Sequence, residues 1–255
     1  MVIHLNKINN LNEINNNSVK YYKYKTIDFF FNNKKSDYLI VYLHGAIYIN
    51  EKTNKPIKKP IFYHSNYNYC DTLCLSDKLL EDYDDKNLLL SWYLSTPTHN
   101  YFNIYCEILT YILKNNYKKV LFTGGSGGAY PALLFSSYFN CNCLIFNPQI
   151  YLHKYHYFEK MLNILDIDEI ECDIENFITK HGPPNKITLV TNTRDVHHYE
   201  GHSLIFESFI SKDYPDNIIT NYFKGTDPSK GKSHHRVCIP SNTNYYILVK
   251  NALLQ

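Results

Sequence analysis

Ser126 stands in the stretch TGGSGGAYP, residues 123–131, with Gly124 two positions before it and Gly128 two positions after it. A serine hydroxyl is a weak nucleophile. A fold can activate it by holding it at a sharp strand-to-helix turn, where a base takes its proton and backbone amides face the developing oxyanion. The residues two before and two after that serine lie so close to the neighbouring strand and helix that only small ones fit. Gly124 and Gly128 meet that demand, and the amide of Gly127, at the start of the helix, is placed to receive the oxyanion. Other readings of the glycines fit less well. A phosphate cradle needs a lysine followed by Ser or Thr, but Ala129 and Tyr130 follow here. A dinucleotide fingerprint needs G-x-G-x-x-G, whereas these glycines fall at 124, 125, 127 and 128. A flexible linker would not sit between VLF and ALLF.

The serine needs a base and an acid that orients it. Asp195 follows directly on KITLVTNTR, and His234 and His235 come later in GKSHHRV. Adjacent histidines on an extended loop point to opposite sides, so one of the two is the base; His235 is preferred, with His234 as the alternative. Asp195 also has the position of an ordinary strand-end turn residue. A second oxyanion amide is expected from His44-Gly45-Ala46, at Ala46 or Ile47, with Gly45 permitting the close turn. The competing chemistry is a metal-dependent hydrolase built on His197, His198 and His202 in DVHHYEGHS. The i, i+4 spacing of His198 and His202 suits helix-borne ligands, but Gly201 lies between them and the H-E-x-x-H glutamate is missing. No metal is expected under the serine reading. A third reading is a binding protein that keeps the fold without catalysis.

These residues need elements to hold them. Residues 19–31, VKYYKYKTIDFFF, fit one or two antiparallel strands at the edge of a sheet. DYLIVYLHGA, residues 37–46, is an apolar run too short for a helix and suited to a strand buried on both faces. Strands are also expected at residues 57–63 and 88–94. NIYCEILTYILKNN, residues 103–116, carries a helical apolar stripe. It leads into the strand KKVLFTGG, the turn, and a helix from AYPALLFSSYF. CLIFNPQ and KITLVTNTRD are buried strands ending in polar residues, and TNYYILVKNALL is a last covering helix. Alternating strands and helices predict an α/β domain with a mainly parallel sheet, whose catalytic groups collect at the carboxyl ends of the strands. The polar clusters fall there: His44-Gly45, Ser126, Asn147 to Gln149, and Asp195. One domain over residues 1–255 is expected, with residues 1–18 a poorly ordered N-terminal segment.

Composition removes several function classes. Lys and Arg number 26 against 24 Asp and Glu, so no broad basic footprint for nucleic acid or an anionic membrane exists. No apolar run approaches the roughly 18 residues of a membrane span, and the N-terminus lacks a signal-peptide apolar core, which predicts a cytoplasmic protein. The seven cysteines form no zinc or redox motif and are read as reduced core thiols. Oligomeric state is not legible.

Four ordered segments, SDKLLEDYDDKNLLLSWYLST, VLFTGGSGGAYPALLFSSYF, CLIFNPQ and TRDVHHYEGHSLIF, resemble the α/β-hydrolase-like proteins of bacterial capsule and glycan loci. Those are distant relatives of the acetyltransferase component of the accessory Sec system. The similarity spans residues 39–240. It implies an α/β-hydrolase-like fold with Ser126 as nucleophile, Asp195 as acid and the 234/235 pair supplying the histidine. It also implies that Trp92, Tyr93, Asn147 and Gln149 border the substrate. The expected activity is acyl transfer or ester hydrolysis on sugar hydroxyls, often with acetyl groups. A small molecule or glycan is then the partner. No cofactor is expected, an acyl donor such as acetyl-CoA entering as substrate. The chain departs from the pattern in lacking a clean Gly-His pair late in the sequence and in having Ala46 where esterases have a second glycine.

Overall fold

The computed structural model describes residues 5–14, 20–47, 49–50, 55–56, 67–82, 89–155, 158–165, 173–230 and 245–255. Its strands, in chain order, are β1 (Asn6–Ile8), β2 (Lys20–Tyr24), β3 (Ile27–Asn32), β4 (Tyr38–Leu43), β5 (Ile49–Asn50), β6 (Lys55–Pro56), β7 (Asp71–Leu75), β8 (Lys119–Gly125), β9 (Asn142–Phe146), β10 (Lys186–Asn192) and β11 (Ile218–Phe223). Nine of them form one sheet in the order β1-β2-β3-β7-β4-β8-β9-β10-β11, while β5 and β6 pair separately. From β7 to β11 every pairing is parallel. β3 is antiparallel to both β2 and β7.

Alternation along β4 explains the layering. Leu39, Val41 and Leu43 enter one core cluster with Ile108, Leu109 and Ile112 of α2 (Tyr101–Leu113), the helix after the short α1 (Leu79–Asp82), and with Leu133 and Phe135 of α3 (Ala129–Tyr138). Ile40 and Tyr42 enter a second with Val249, Ala252 and Leu253 of the C-terminal helix, Tyr245–Leu254. Both faces of the central strands are covered, which is why their sequences read as continuous apolar runs. The α2 stripe at Tyr105, Ile108, Leu109 and Ile112 follows helical spacing, and Asn100 caps the helix by accepting from the Asn103 amide at 3.0 Å.

The elements depart from expectation at residues 89–94. The 57–63 strand lies outside the described residues. In the expected 88–94 strand the described residues 89–94 do not form one: Trp92 and Tyr93 adopt φ of 51° and 59°, and the sheet position belongs to β7, DTLCL. The apolar run was a poor guide there because it is buried by packing across strand ends rather than within the sheet. In the N-terminal segment, β1 pairs in parallel with β2, and Ile8, Leu11 and Ile14 are buried. Among the described residues no helix is long and apolar enough to cross a membrane. The thiols of Cys70, Cys106, Cys141 and Cys143 are free, and burial pushes each up to about 12.

The chain leaves β4 toward β7 on one side and leaves β8 toward β9 on the other. Adjacent strands whose connections diverge open a crevice at their carboxyl ends. His44-Gly45 and Ser126 stand at the two lips of that crevice.

Candidate active site

β8 ends extended at Gly125, with φ −117° and ψ 151°. Ser126 then takes φ 53°, an uncommon conformation for a residue with a side chain, before a single 3-10 turn feeds α3. The glycines make this turn possible by steric permission. A Cβ on Gly124 would stand 2.1 Å from the Gly128 carbonyl oxygen, and one on Gly128 would stand 2.3 Å from the Leu43 oxygen. One on Gly45 would meet the Gly125 oxygen at 2.8 Å. Backbone therefore packs on backbone between the ends of β4 and β8. Gly127 is crowded from another direction, since its Cβ would fall 2.1 Å from the side chain of Leu90. Gly125 alone of the four has room, with its nearest neighbour at 3.6 Å.

On the β9 side, the Ser126 carbonyl accepts from the Gln149 amide at 3.0 Å. Asn147, with φ 38°, ties two strand ends together: its Oδ1 accepts from the Asn192 amide at 2.8 Å and its Nδ2 donates to Asp195 Oδ2 at 3.0 Å. Asp195 is 5 % exposed, and its second oxygen faces His198, whose Nδ1 lies 2.9 Å away. The approach is short but off the ring N–H direction, a contact of charge with ring rather than an aligned hydrogen bond. Asp195 thus stands at the end of β10 with one oxygen held by Asn147 and the other on the side of the histidines.

His197, His198 and His202 gather beside it, with ring centroids 5.1 to 6.1 Å apart. His202 Nδ1 accepts from the amides of Ile150 and Tyr151 at 3.2 and 3.1 Å, which fixes the neutral tautomer with the proton on Nε2. Burial, helped by the neighbouring His198 and His197, holds its pKa down at about 3. Those amides occupy one of its two possible ligand atoms. Among the described residues no three His, Cys, Asp or Glu side chains converge as a metal-binding group.

The β4 side is built around a second neutral histidine. His44 Nδ1 donates to the Gly45 carbonyl at 2.8 Å and its Nε2 accepts from the Asp77 amide at 3.1 Å. Burial lowers its pKa to about 4, only partly opposed by the Gly45 contact. The ring braces the loop. The Ile47 amide donates to the Leu89 carbonyl at 2.8 Å. Trp92 and Tyr93 are buried: the Tyr93 hydroxyl donates to the Leu75 carbonyl at 2.8 Å and accepts from the His44 amide at 3.1 Å. Ser126, Gly127, Gly45, Ala46, Asn147, Gln149 and Asp195 thus all occupy carboxyl-end loops of adjacent strands. His234 and His235 lie outside the described residues.

Sequence reasoning assigned nothing to Asp77 or Leu90, yet both touch the loops on either side of the crevice. Asp77 carries the same signal as Asp195, a carboxylate just past a short buried strand.

No family model and no curated protein matches the sequence. Solved structures do. The capsule O-acetyltransferase of Neisseria meningitidis serogroup A is 17% identical with a TM-score of 0.62, over 81% of this chain and 86% of that one. An S-formylglutathione hydrolase from Agrobacterium tumefaciens is 13% identical at 0.62, over 91% and 90%. Thermogutta terrifontis esterase 2, phosphonylated by sarin, is 11% identical at 0.60, over 93% and 94%. The fold is α/β-hydrolase-like, as the mainly parallel sheet and the strained serine turn at a strand end also require. Likeness to a capsule enzyme agrees with the resemblance carried by the four sequence segments.

Proposed function

We infer that the protein transfers or hydrolyses acyl esters through Ser126. The observation that carries this reading is the serine at φ 53° between β8 and α3, buried with its carbonyl bound to Gln149, in a turn that only glycines at 124 and 128 permit. Strain at Ser126, in a turn whose glycine spacing matches a nucleophile elbow, supports a positioned nucleophile.

In the proposed reaction a base withdraws the Ser126 proton as Oγ attacks the ester carbonyl. The amides of Gly127 and Ala46 receive the oxyanion, and collapse expels the alcohol, which regains the proton from the base. Water or a sugar hydroxyl then takes the acyl group. Asp195, oriented by Asn147, stabilises the imidazolium. The base is His235, with His234 as its alternative. A specific observation favours a second reading of this one role: His198 stands 2.9 Å from the Asp195 carboxylate. The proposed substrate is an O-acyl, above all O-acetyl, group on a glycan, supported by the family resemblance and by the likeness to a capsule O-acetyltransferase. The donor for transfer is an activated acyl compound such as acetyl-CoA.

Labelling with a fluorophosphonate probe tests the nucleophile. Wild type labels and Ser126→Ala does not; a wild type left unlabelled under conditions that label a control esterase overturns the reading. Parallel assays of His235→Ala, His234→Ala and His198→Ala identify the base as the variant whose turnover collapses.

A further inference from the structure

Both loops assigned to the oxyanion hole touch a single segment, residues 89–94. The Ile47 amide donates to Leu89, and the Leu90 side chain packs on the Cα of Gly127. His44, which begins the first loop, is held at its amide by the Tyr93 hydroxyl. The two halves of the hole come from β4 and β8, and residues 89–94 form a strap that both contact.

Among the described residues the strap pairs with no strand of the sheet. Its consecutive residues Trp92 and Tyr93 both lie in the left-handed region, which a side-chain-bearing residue adopts only when its surroundings impose it. What imposes it is one carboxylate. Asp77 Oδ1 accepts from the Ser91 hydroxyl at 2.6 Å, and Oδ2 accepts from the Ser91 and Tyr93 amides at 3.2 Å each. Asp77 is 0 % exposed, so these bonds are made away from bulk solvent and their loss leaves buried donors without their acceptor. The Asp77 amide completes the link by donating to His44 Nε2.

We propose that Asp77 is a positioning residue for the oxyanion hole: it folds the 89–94 strap, and through Leu89, Leu90 and Tyr93 the strap sets the separation of the Ala46 and Gly127 amides. This rests on the acyl-transfer reading above. Asp77 touches neither substrate nor nucleophile. Its effect therefore falls on transition-state binding, with turnover lost and KM preserved.

The test uses the full chain and a short-chain aryl ester. Asp77→Ala removes the acceptor of the Ser91 hydroxyl and of the Ser91 and Tyr93 amides, and its kcat falls about 100-fold with KM within about 3-fold of wild type, the scale of a lost oxyanion donor. Asp77→Asn can place its carbonyl toward the two amides and its NH₂ toward the Ser91 hydroxyl, and it recovers kcat to within about 10-fold. A destabilised scaffold would instead leave the kcat of the folded fraction unchanged, so activity is normalised to the fraction that labels with fluorophosphonate. Should Asp77→Ala fail to fold, Ser91→Ala removes one of the three bonds, lowers kcat about 5-fold and speeds hydrogen exchange at the Ile47 and Tyr93 amides. Normal kcat in a folded Asp77→Ala, or unchanged exchange and kcat in Ser91→Ala, overturns the proposal. Ser126→Ala runs beside them. If that variant keeps activity, the acyl-transfer reading falls; if it is dead while Asp77→Ala is not, only the role of Asp77 falls.

Discussion

Several turns hold side-chain-bearing residues in the left-handed region, and two of them, the elbow at Ser126 and the strap at Trp92-Tyr93, are held by different means. At the elbow, Ser126 is held by its immediate neighbours: glycines at 124 and 128 let the strand, helix and β4 loop close around it. At the strap, Trp92 and Tyr93 are held by Asp77, more than a dozen residues earlier in the chain and across a loop. Local sterics shape the first turn and a distant buried acceptor shapes the second. The first sets Ser126 at the crevice between β4 and β8, while the second buries its aromatics and serves as support.

That contrast can be broken experimentally. The largest effect belongs to Ser126→Ala, which lowers turnover about 10⁴-fold or more while leaving the denaturation midpoint close to wild type, because the backbone turn does not depend on the hydroxyl. A large loss of stability instead would make the serine structural. Gly124→Ala comes next. Its Cβ meets backbone at 2.1 Å, which cannot be relieved by a rotamer change, and we expect a loss of more than about 3 kcal/mol in urea denaturation. Gly125→Ala, one residue along with 3.6 Å of clearance, stays within about 1 kcal/mol of wild type. Equal effects from the two would dissolve the steric account of the elbow.

Tyr93→Phe probes the strap. It leaves the Leu75 carbonyl and the His44 amide without their hydroxyl partner in a buried site, at a cost of about 1–3 kcal/mol in stability, with slower fluorophosphonate labelling of Ser126. Labelling at the wild-type rate would separate the strap from the elbow.

The smallest predicted effect is in pH dependence. His44 and His202 are kept neutral by burial, with pKa values near 4 and 3 against 6.5 for free histidine. As pH falls below 6.5 the unfolded chain takes up protons that these folded rings refuse, so stability declines, His44 ceasing to contribute below about 4 and His202 below about 3. Burial raises Asp77 to about 6 from 3.8, which acts in the opposite sense over that interval. With two histidines against one carboxylate, the melting temperature falls between pH 6.5 and 4. His202→Gln, which keeps an acceptor for the two amides, makes the decline shallower; an unchanged slope would show that His202 is not held neutral.

Much of the site was written locally. The glycine spacing around Ser126, the polar residues closing the strand-like runs at His44, Asn147 and Asp195, and the helical stripe of α2 each depend on neighbours in sequence. Each was legible for that reason. The reading failed where burial had another cause. LLLSWYL is as apolar as any strand of the sheet, but its amides bond to Asp77 rather than to a neighbouring strand, while the less conspicuous DTLCL takes the sheet position. Asp77 and Leu90 were silent in the sequence because their partners, Ser91 and Tyr93 for the one and Gly127 for the other, lie far from them along the chain.

The sequence by itself determined the α/β order of elements and the residue at which the strained turn falls, since periodicity and close-range sterics are properties of neighbouring residues. Only the tertiary structure decided that Asn147 orients Asp195 and that His44 and His202 are braces held neutral by burial. It alone showed that one carboxylate joins the two sides of the crevice. Hydrogen-bond partners and desolvation depend on which distant atoms the fold brings together, and no spacing along the chain encodes that.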